Sequence, residues 1–246
     1  KGSHTTMGFF DRRKDTGTAA TTGPARTVNL VKDPAGASAI NLSKVRDAGH
    51  IDLAKRADKA GIALSKRDLA GIRAQAILVL DHSGSMHGDY RNGKVQTLVE
   101  RVLGFSLQID VDGTVPVIPF DSRILPTVEV TVDNYQGVVD QRIWQRNAMG
   151  STDLAAALRI VRNLAQVATE PLFVAIVTDG NPDDRRAVTA LVVDLARYPV
   201  FLKFLAIRDV PYLEELDDMS PDLRLLDNVD TKTFDDPAAV SDMAFA

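Results

Sequence analysis

The sequence contains no cysteine, which removes disulfides, zinc–thiolate sites and thiol redox chemistry from consideration. No stretch approaches the roughly 18 consecutive apolar residues of a membrane span. Arg12-Arg13 is followed by no apolar run, and Met7-Gly8 lacks the Ser or Thr a myristoylation site would place four residues past the glycine. No Walker motif and no G-x-G-x-x-G is present, so nucleotide binding has no support. The expectation is a cytoplasmic protein with no nucleic-acid partner.

What is present suffices for one large core. The chain has 246 residues, 45% of them hydrophobic, which fits one α/β domain with an appendage. Lys1–Thr6 reads as a tag remnant before a natural start at Met7. Residues 1–27 as a whole, rich in Thr, Ala, Gly and Arg, are expected to be disordered. The net charge of −4 hides an asymmetry: residues 1–73 hold 14 Lys and Arg against 7 Asp and Glu, and the remainder is acidic. A basic arm of this kind can dock on its own acidic domain, on an acidic partner, or peripherally on a membrane or a nucleic acid, or its charges can serve only to keep it solvated.

Residues 28–73 repeat a short pattern, aliphatic-x-Leu-x-Lys, at Val28–Lys32, Ile40–Lys44, Ile51–Lys55 and Ile62–Lys66. Alternation of apolar and polar residues predicts short extended segments with turns at Pro34–Gly36 and Ala48-Gly49. The stretch 51–59 fits equally a helix stopped by Gly61. So small an array cannot bury its own apolar face. At least its last two units should pack on the main domain, burying Leu53 and Leu64, with their lysines toward solvent or the acidic stretch Glu214–Asp222.

Residues 74–246 alternate aliphatic runs with helical patterns. Strands are expected at Ala76–Leu80, Thr114–Phe120, Thr127–Val132, Leu172–Thr178 and Val200–Ile207, with a last one around Leu223–Asp227. Helices are expected at Lys94–Ile109, Asp153–Ala168, Arg185–Tyr198 and Pro211–Met219. This order argues a doubly wound, mostly parallel sheet covered by helices on both faces. In such a sheet, ligands bind beyond the carboxyl ends of the strands, where the strand order reverses.

Three polar clusters fall at such ends: Asp81-His-Ser-Gly-Ser85 after the first strand, Gly150-Ser-Thr-Asp153 before a helix, and Thr178-Asp-Gly180 after a later strand. Carboxylates and hydroxyls are hard oxygen donors that suit Mg²⁺, Mn²⁺ or Ca²⁺ better than zinc or copper. One turning loop could present Asp81, Ser83 and Ser85 to a single centre, with Gly84 allowing a tight bend. An aspartyl phosphatase would want an aspartate where Ser83 stands, and the G-x-S-x-G elbow of a serine hydrolase is absent. His82 and His87 read as loop residues beside the site, and His50 as an exposed residue. Asp89–Arg91 and Asp183–Arg186 flank two of the site loops and could line the rim of the site, although solvated loop charge is the favoured reading of both.

Asp81-x-Ser83-x-Ser85, Thr152 and Asp179 together resemble the metal-ion-dependent adhesion site of von Willebrand factor A (vWA) domains, over residues 74–246. The resemblance implies that Ser83 and Ser85 bind a divalent ion directly. Thr152, Asp81 and Asp179 would bind it directly or through water, and an acidic group of a protein partner would complete the shell. It implies a Rossmann-like fold and a binding module with no enzymatic activity. The alternatives at the same residues are a Mg²⁺-dependent phosphohydrolase and a scaffold with a vestigial site. The repeats of residues 28–73 are similar to the opening of bacterial tellurium-resistance (TerD-like) domains, without the acidic calcium loops of that family. The two resemblances together imply a place in a bacterial tellurite- or stress-resistance system.

Overall fold

The computed structural model describes residues 31–146 and 148–245; the expectations for residues 1–27, and most of the first repeat unit, lie outside that range. Strands β3 (Gln75–Asp81), β4 (Thr114–Phe120), β5 (Val128–Thr131), β6 (Leu172–Thr178), β7 (Val200–Ala206) and β8 (Val229–Thr233) form one sheet in the order β5-β4-β3-β6-β7-β8. Only the β4–β5 pair is antiparallel. From β3 the chain steps outward through β4 to β5, then returns to lay β6 on the other side of β3. The order therefore reverses between β3 and β6, and the crevice of the fold opens above their carboxyl ends.

The interior strands are buried on both faces, which is why they read as continuous aliphatic runs rather than alternating ones. Along β3, Ala76, Leu78 and Leu80 pack into one layer while Ile77 and Val79 pack into the other. The first layer is covered by α4 (Lys94–Ile109), and the second by α5 (Leu154–Val167), α6 (Arg185–Leu195) and α7 (Pro211–Asp217). The last strand lies further along the chain than the hydrophobic pattern suggests. Leu223 and Leu225 are exposed, and the edge strand is Val229-Asp-Thr-Lys-Thr233, in which only Val229 is buried. An edge strand has one partner and needs little apolar signal.

The segment before the sheet is helical where extended pieces were expected. After the two-residue strand β1 (Val31–Lys32), which pairs with β2 (Ile72–Arg73), come α1 (Leu42–Asp47) and α2 (Ile51–Lys66). At about 100° per residue, positions i and i+4 share one helix face and i+2 faces away. Out-in-out alternation over five residues therefore fits a helix as well as a strand. Ile51 and Lys55 are exposed and Leu53 is buried, and one step of 11 residues later Ile62, Lys66 and Leu64 repeat this. Asn41 caps α1 by accepting from the N–H groups of Ser43 and Lys44.

Gly61 does not stop α2. A Cβ there would lie 2.9 Å from Oε1 of Gln108, whose Nε2 donates to the carbonyl of Ala57 at 2.8 Å. The glycine makes room for an α4 side chain that ties the two helices together. Leu53 and Leu64 are buried as expected, and Lys55 and Lys66 of the same two units face solvent, one of the two placements expected of them. Lys59 pairs with Asp242 at 3.0 Å, and Arg56 reaches Asp242 and Glu100. Among the described residues no helix is long and apolar enough to cross a membrane.

Candidate functional site

The first loop leaves β3 at Asp81 and turns at once into a 3-10 turn, Gly84–Met86, and then α3 (His87–Arg91). One oxygen of Asp81 accepts from the N–H of Ser83 at 2.7 Å, and the other from the hydroxyl of Thr178 at 2.6 Å. The carboxylate thus closes its own loop and joins β3 to the end of β6. Ser83 Oγ lies 3.1 Å from Ser85 Oγ, and the Ser85 hydroxyl donates to Asp179 Oδ1 at 2.8 Å. Asp81, Ser83, Ser85 and Asp179 are therefore brought together by direct and Thr178-mediated hydrogen bonds.

The second loop is joined through backbone. Ser83 and Gly150 form a parallel bridge, and the N–H of Gly84 donates to the Gly150 carbonyl at 2.9 Å. Thr152, two residues on, is buried; its N–H donates to Asp183 Oδ1 at 3.2 Å and its carbonyl accepts from the N–H of Asp183. Gly84 does not adopt a left-handed backbone, and a Cβ there would meet only Gly150 O at 3.8 Å. The glycine that geometry requires is Gly150, where a Cβ would stand 2.5 Å from Ser122 Oγ.

Of the flanking residues, Asp183–Arg186 and Arg91 are exposed as the solvated-charge reading expects, whereas two are not. Asp89 and Tyr90 are buried, and the Tyr90 hydroxyl donates to the carbonyl of Asp81 at 2.9 Å. Burial pushes the Tyr90 phenol well up, with the carboxylates of Asp81 and Asp121 adding to it. Asp183 accepts from the Ser151 hydroxyl at 2.6 Å, and Asp184 caps α6 through the N–H of Ala187. His50 is half-buried, edge-on to Tyr135.

Three residues that sequence reasoning passed over complete the surroundings. Asp121, at the end of β4, lies 3.3 Å from Nδ1 of the fully buried His82 and is gripped by Arg123 at 2.8 Å. Arg208, two residues beyond the end of β7, donates to Asp179 Oδ2 and, at 2.9 Å, to Asp89 Oδ2. The available signal was position: both Asp121 and Arg208 stand just past strand carboxyl ends.

The donor set fits a divalent cation. Burial pushes the Asp81 carboxyl up to about 6, against hydrogen bonds from Thr178 and Ser83 that lower it, and the negative charge of Asp179 raises it further. Two carboxylates this close, with hydroxyls between them, favour a positive charge at the centre. Among the described residues no three His, Cys, Asp or Glu side chains converge as a zinc site would require.

Oxygen donors gathered at the switch point of a doubly wound, mostly parallel sheet define the class, a Rossmann-like α/β fold. The chain belongs to the vWA-TerF-like family, the vWA found in the TerF C terminus, which matches residues 73–245. It is 29% identical over 202 residues to the uncharacterized protein YcbR of Bacillus subtilis (strain 168), covering 78% of this chain and 80% of that one. The fold is similar to the SpRpn10 VWA domain, with a TM-score of 0.50 at 8% identity over 70% of this chain and 92% of that one. It is similar too to proximal thread matrix protein 1 of the mussel byssus, with a TM-score of 0.50 at 16% identity. That match covers 66% of this chain and 44% of the longer mussel chain.

Proposed function

We propose that this chain is a divalent-metal-dependent protein-interaction module without enzymatic activity, working in the cytoplasm within a bacterial tellurite- or stress-resistance system. The observation that carries it is the hydrogen-bonded run Ser83–Ser85–Asp179 beside buried Asp81, at the switch point of the sheet. Ser83 and Ser85 would hold the ion directly, and Asp81, Thr152 and Asp179 directly or through water. Mg²⁺ is the first choice for such oxygens, with Mn²⁺ or Ca²⁺ as alternatives. The bound ion supplies a Lewis-acidic point to which an acidic side chain of a protein partner can attach. The resistance-system setting rests on the TerF name of the family and on the TerD-like repeats of residues 28–73.

The non-enzymatic reading is supported by the state of the histidine inside the first site loop. His82 is fully buried, with one ring nitrogen facing Asp121 and the other accepting from the N–H of Gln145 at 3.0 Å. Neither nitrogen is left to take a proton from a nucleophile.

Melting with and without Mg²⁺ or Mn²⁺ tests the proposal. An ion at 100 times its dissociation constant adds about 2.7 kcal/mol if it binds only the folded chain. Asp81→Ala and Asp179→Ala should abolish that shift, and full shifts in both would refute the site. Turnover of a phosphoester that disappears in Asp81→Ala would put the phosphohydrolase reading first.

A further inference from the structure

Arg208 is a cation already seated on the candidate site. Its guanidinium donates to Oδ2 of Asp179, whose side chain is 1% exposed, and to Oδ2 of Asp89, whose side chain is 4% exposed. The remaining oxygen of Asp179 accepts from Ser85. Asp89 has a second cation beside it, with Lys94 Nζ at 3.6 Å from its Oδ1, and Lys94 is in turn anchored on the carbonyl of Asp235. The sequence of charges is thus Asp179, Arg208, Asp89, Lys94. Arg208 itself is half-exposed at the rim, so its side chain can move without disturbing the core.

Resting on the metal-site reading above, we propose that Arg208 competes with the divalent cation for Asp179 and sets how tightly this chain binds metal. A guanidinium and a divalent cation served by one carboxylate repel each other, and the repulsion is weakly screened where the carboxylate is buried. The guanidinium has to yield Oδ2, or share it, before that oxygen can serve a metal directly or through water. Asp89 gives it a place to remain when it does so. Arg208 also neutralises Asp179 when metal is scarce, which holds the loops together at a site rich in carboxylates. The arrangement trades metal affinity for a site that stays closed without metal.

The test is Mn²⁺ binding to the full chain, read by electron paramagnetic resonance of free Mn²⁺, in wild type, Arg208→Gln, Arg208→Lys and Asp179→Ala. Arg208→Gln should bind Mn²⁺ about tenfold more tightly, equivalent to about 1.4 kcal/mol, while melting at a lower temperature in chelator. Arg208→Lys, which keeps the charge, should restore most of the wild-type affinity. Equal or weaker Mn²⁺ binding by Arg208→Gln would overturn the proposal and make Arg208 a residue that only orients Asp179. Failure of wild type and Arg208→Gln alike to bind Mn²⁺, or binding untouched by Asp179→Ala, would instead sink the metal-site reading beneath it.

Discussion

The backbone N–H of Gln145 donates to Nε2 of His82 at 3.0 Å, across 63 positions of sequence. Because Nε2 accepts, the proton of the neutral ring sits on Nδ1 and points at Asp121, so a single tautomer satisfies both neighbours. His82 lies between Asp81 and Ser83, and its ring therefore ties the first site loop to the end of β4 and to the loop that leads to Gly150. Tyr90 packs edge-on against it, 5.6 Å between ring centroids, and Trp144 stacks on Tyr90.

This buried ring has a pH consequence. Burial holds the His82 imidazole below its ordinary value, outweighing the carboxylate of Asp121, which works to raise it. The unfolded chain takes up the proton more readily, so the stability His82 contributes is present above about pH 6.5 and is lost as pH falls through the lower folded value. In urea melts at pH 7.5 and pH 5, wild type should lose more stability than the non-titrating His82→Gln. Parallel losses in the two proteins would show that the ring is not kept neutral by its surroundings.

Asp81 has the opposite sign. Its carboxyl is raised from 3.8 to about 6, chiefly by burial. The folded chain therefore holds a proton that the unfolded chain releases, and stability falls as pH rises between those values. In chelator at pH 7.5, Asp81→Asn should be more stable than wild type by up to ~3 kcal/mol, since each unit is worth about 1.4 kcal/mol. The difference should shrink toward nothing near pH 4. With saturating Mg²⁺ the order should reverse, because the amide is a poorer ligand. An Asn variant less stable than wild type in chelator at both pH values would mean that the Thr178 and Ser83 hydrogen bonds outweigh the buried charge.

The sheet was legible because its strands announce themselves physically. Two-sided burial makes Ile77–Leu80 and Leu172–Val177 continuous apolar runs, and the polar residues that follow them mark the strand ends where a site belongs. Edge strand β8 was misplaced by the same logic, since Leu225-Leu226 looks more like a strand than Val229–Thr233 does. Arg208 and Asp121 carry only the signal of their position past strand ends, because a charge there looks the same in sequence whether it points into the site or into solvent. The segment of α2 reads as extended pieces, or over 51–59 equally as a helix, because five-residue alternation cannot separate the two periods, whereas the 11-residue step from Leu53 to Leu64 can. Eleven residues are about three helical turns and return a side chain to the same face.

That step sets the energetics of the N-terminal arm. Leu53 is 1% exposed and packs in the layer covered by α4, and Leu64 is 6% exposed in a smaller cluster with Ile72, Ala74 and Ile109. Lys66 faces solvent, and even the better-placed Lys59, 50% exposed at its side chain, holds Asp242 in a setting where such a pair adds only ~0–1 kcal/mol. Docking should therefore follow leucine burial and not charge. Leu53→Ala should cost about 2–5 kcal/mol by leaving a cavity between α2 and α4, and Leu64→Asp should cost at least as much by burying an unpaired carboxylate. Lys66→Glu should change stability by no more than about 0.5 kcal/mol. Chemical denaturation of the three variants, with amide exchange across 42–66, checks this. Similar small losses for all three, together with fast exchange along α2, would mean that the arm leaves the sheet easily and that its packing on α4 contributes little to the stability of the domain.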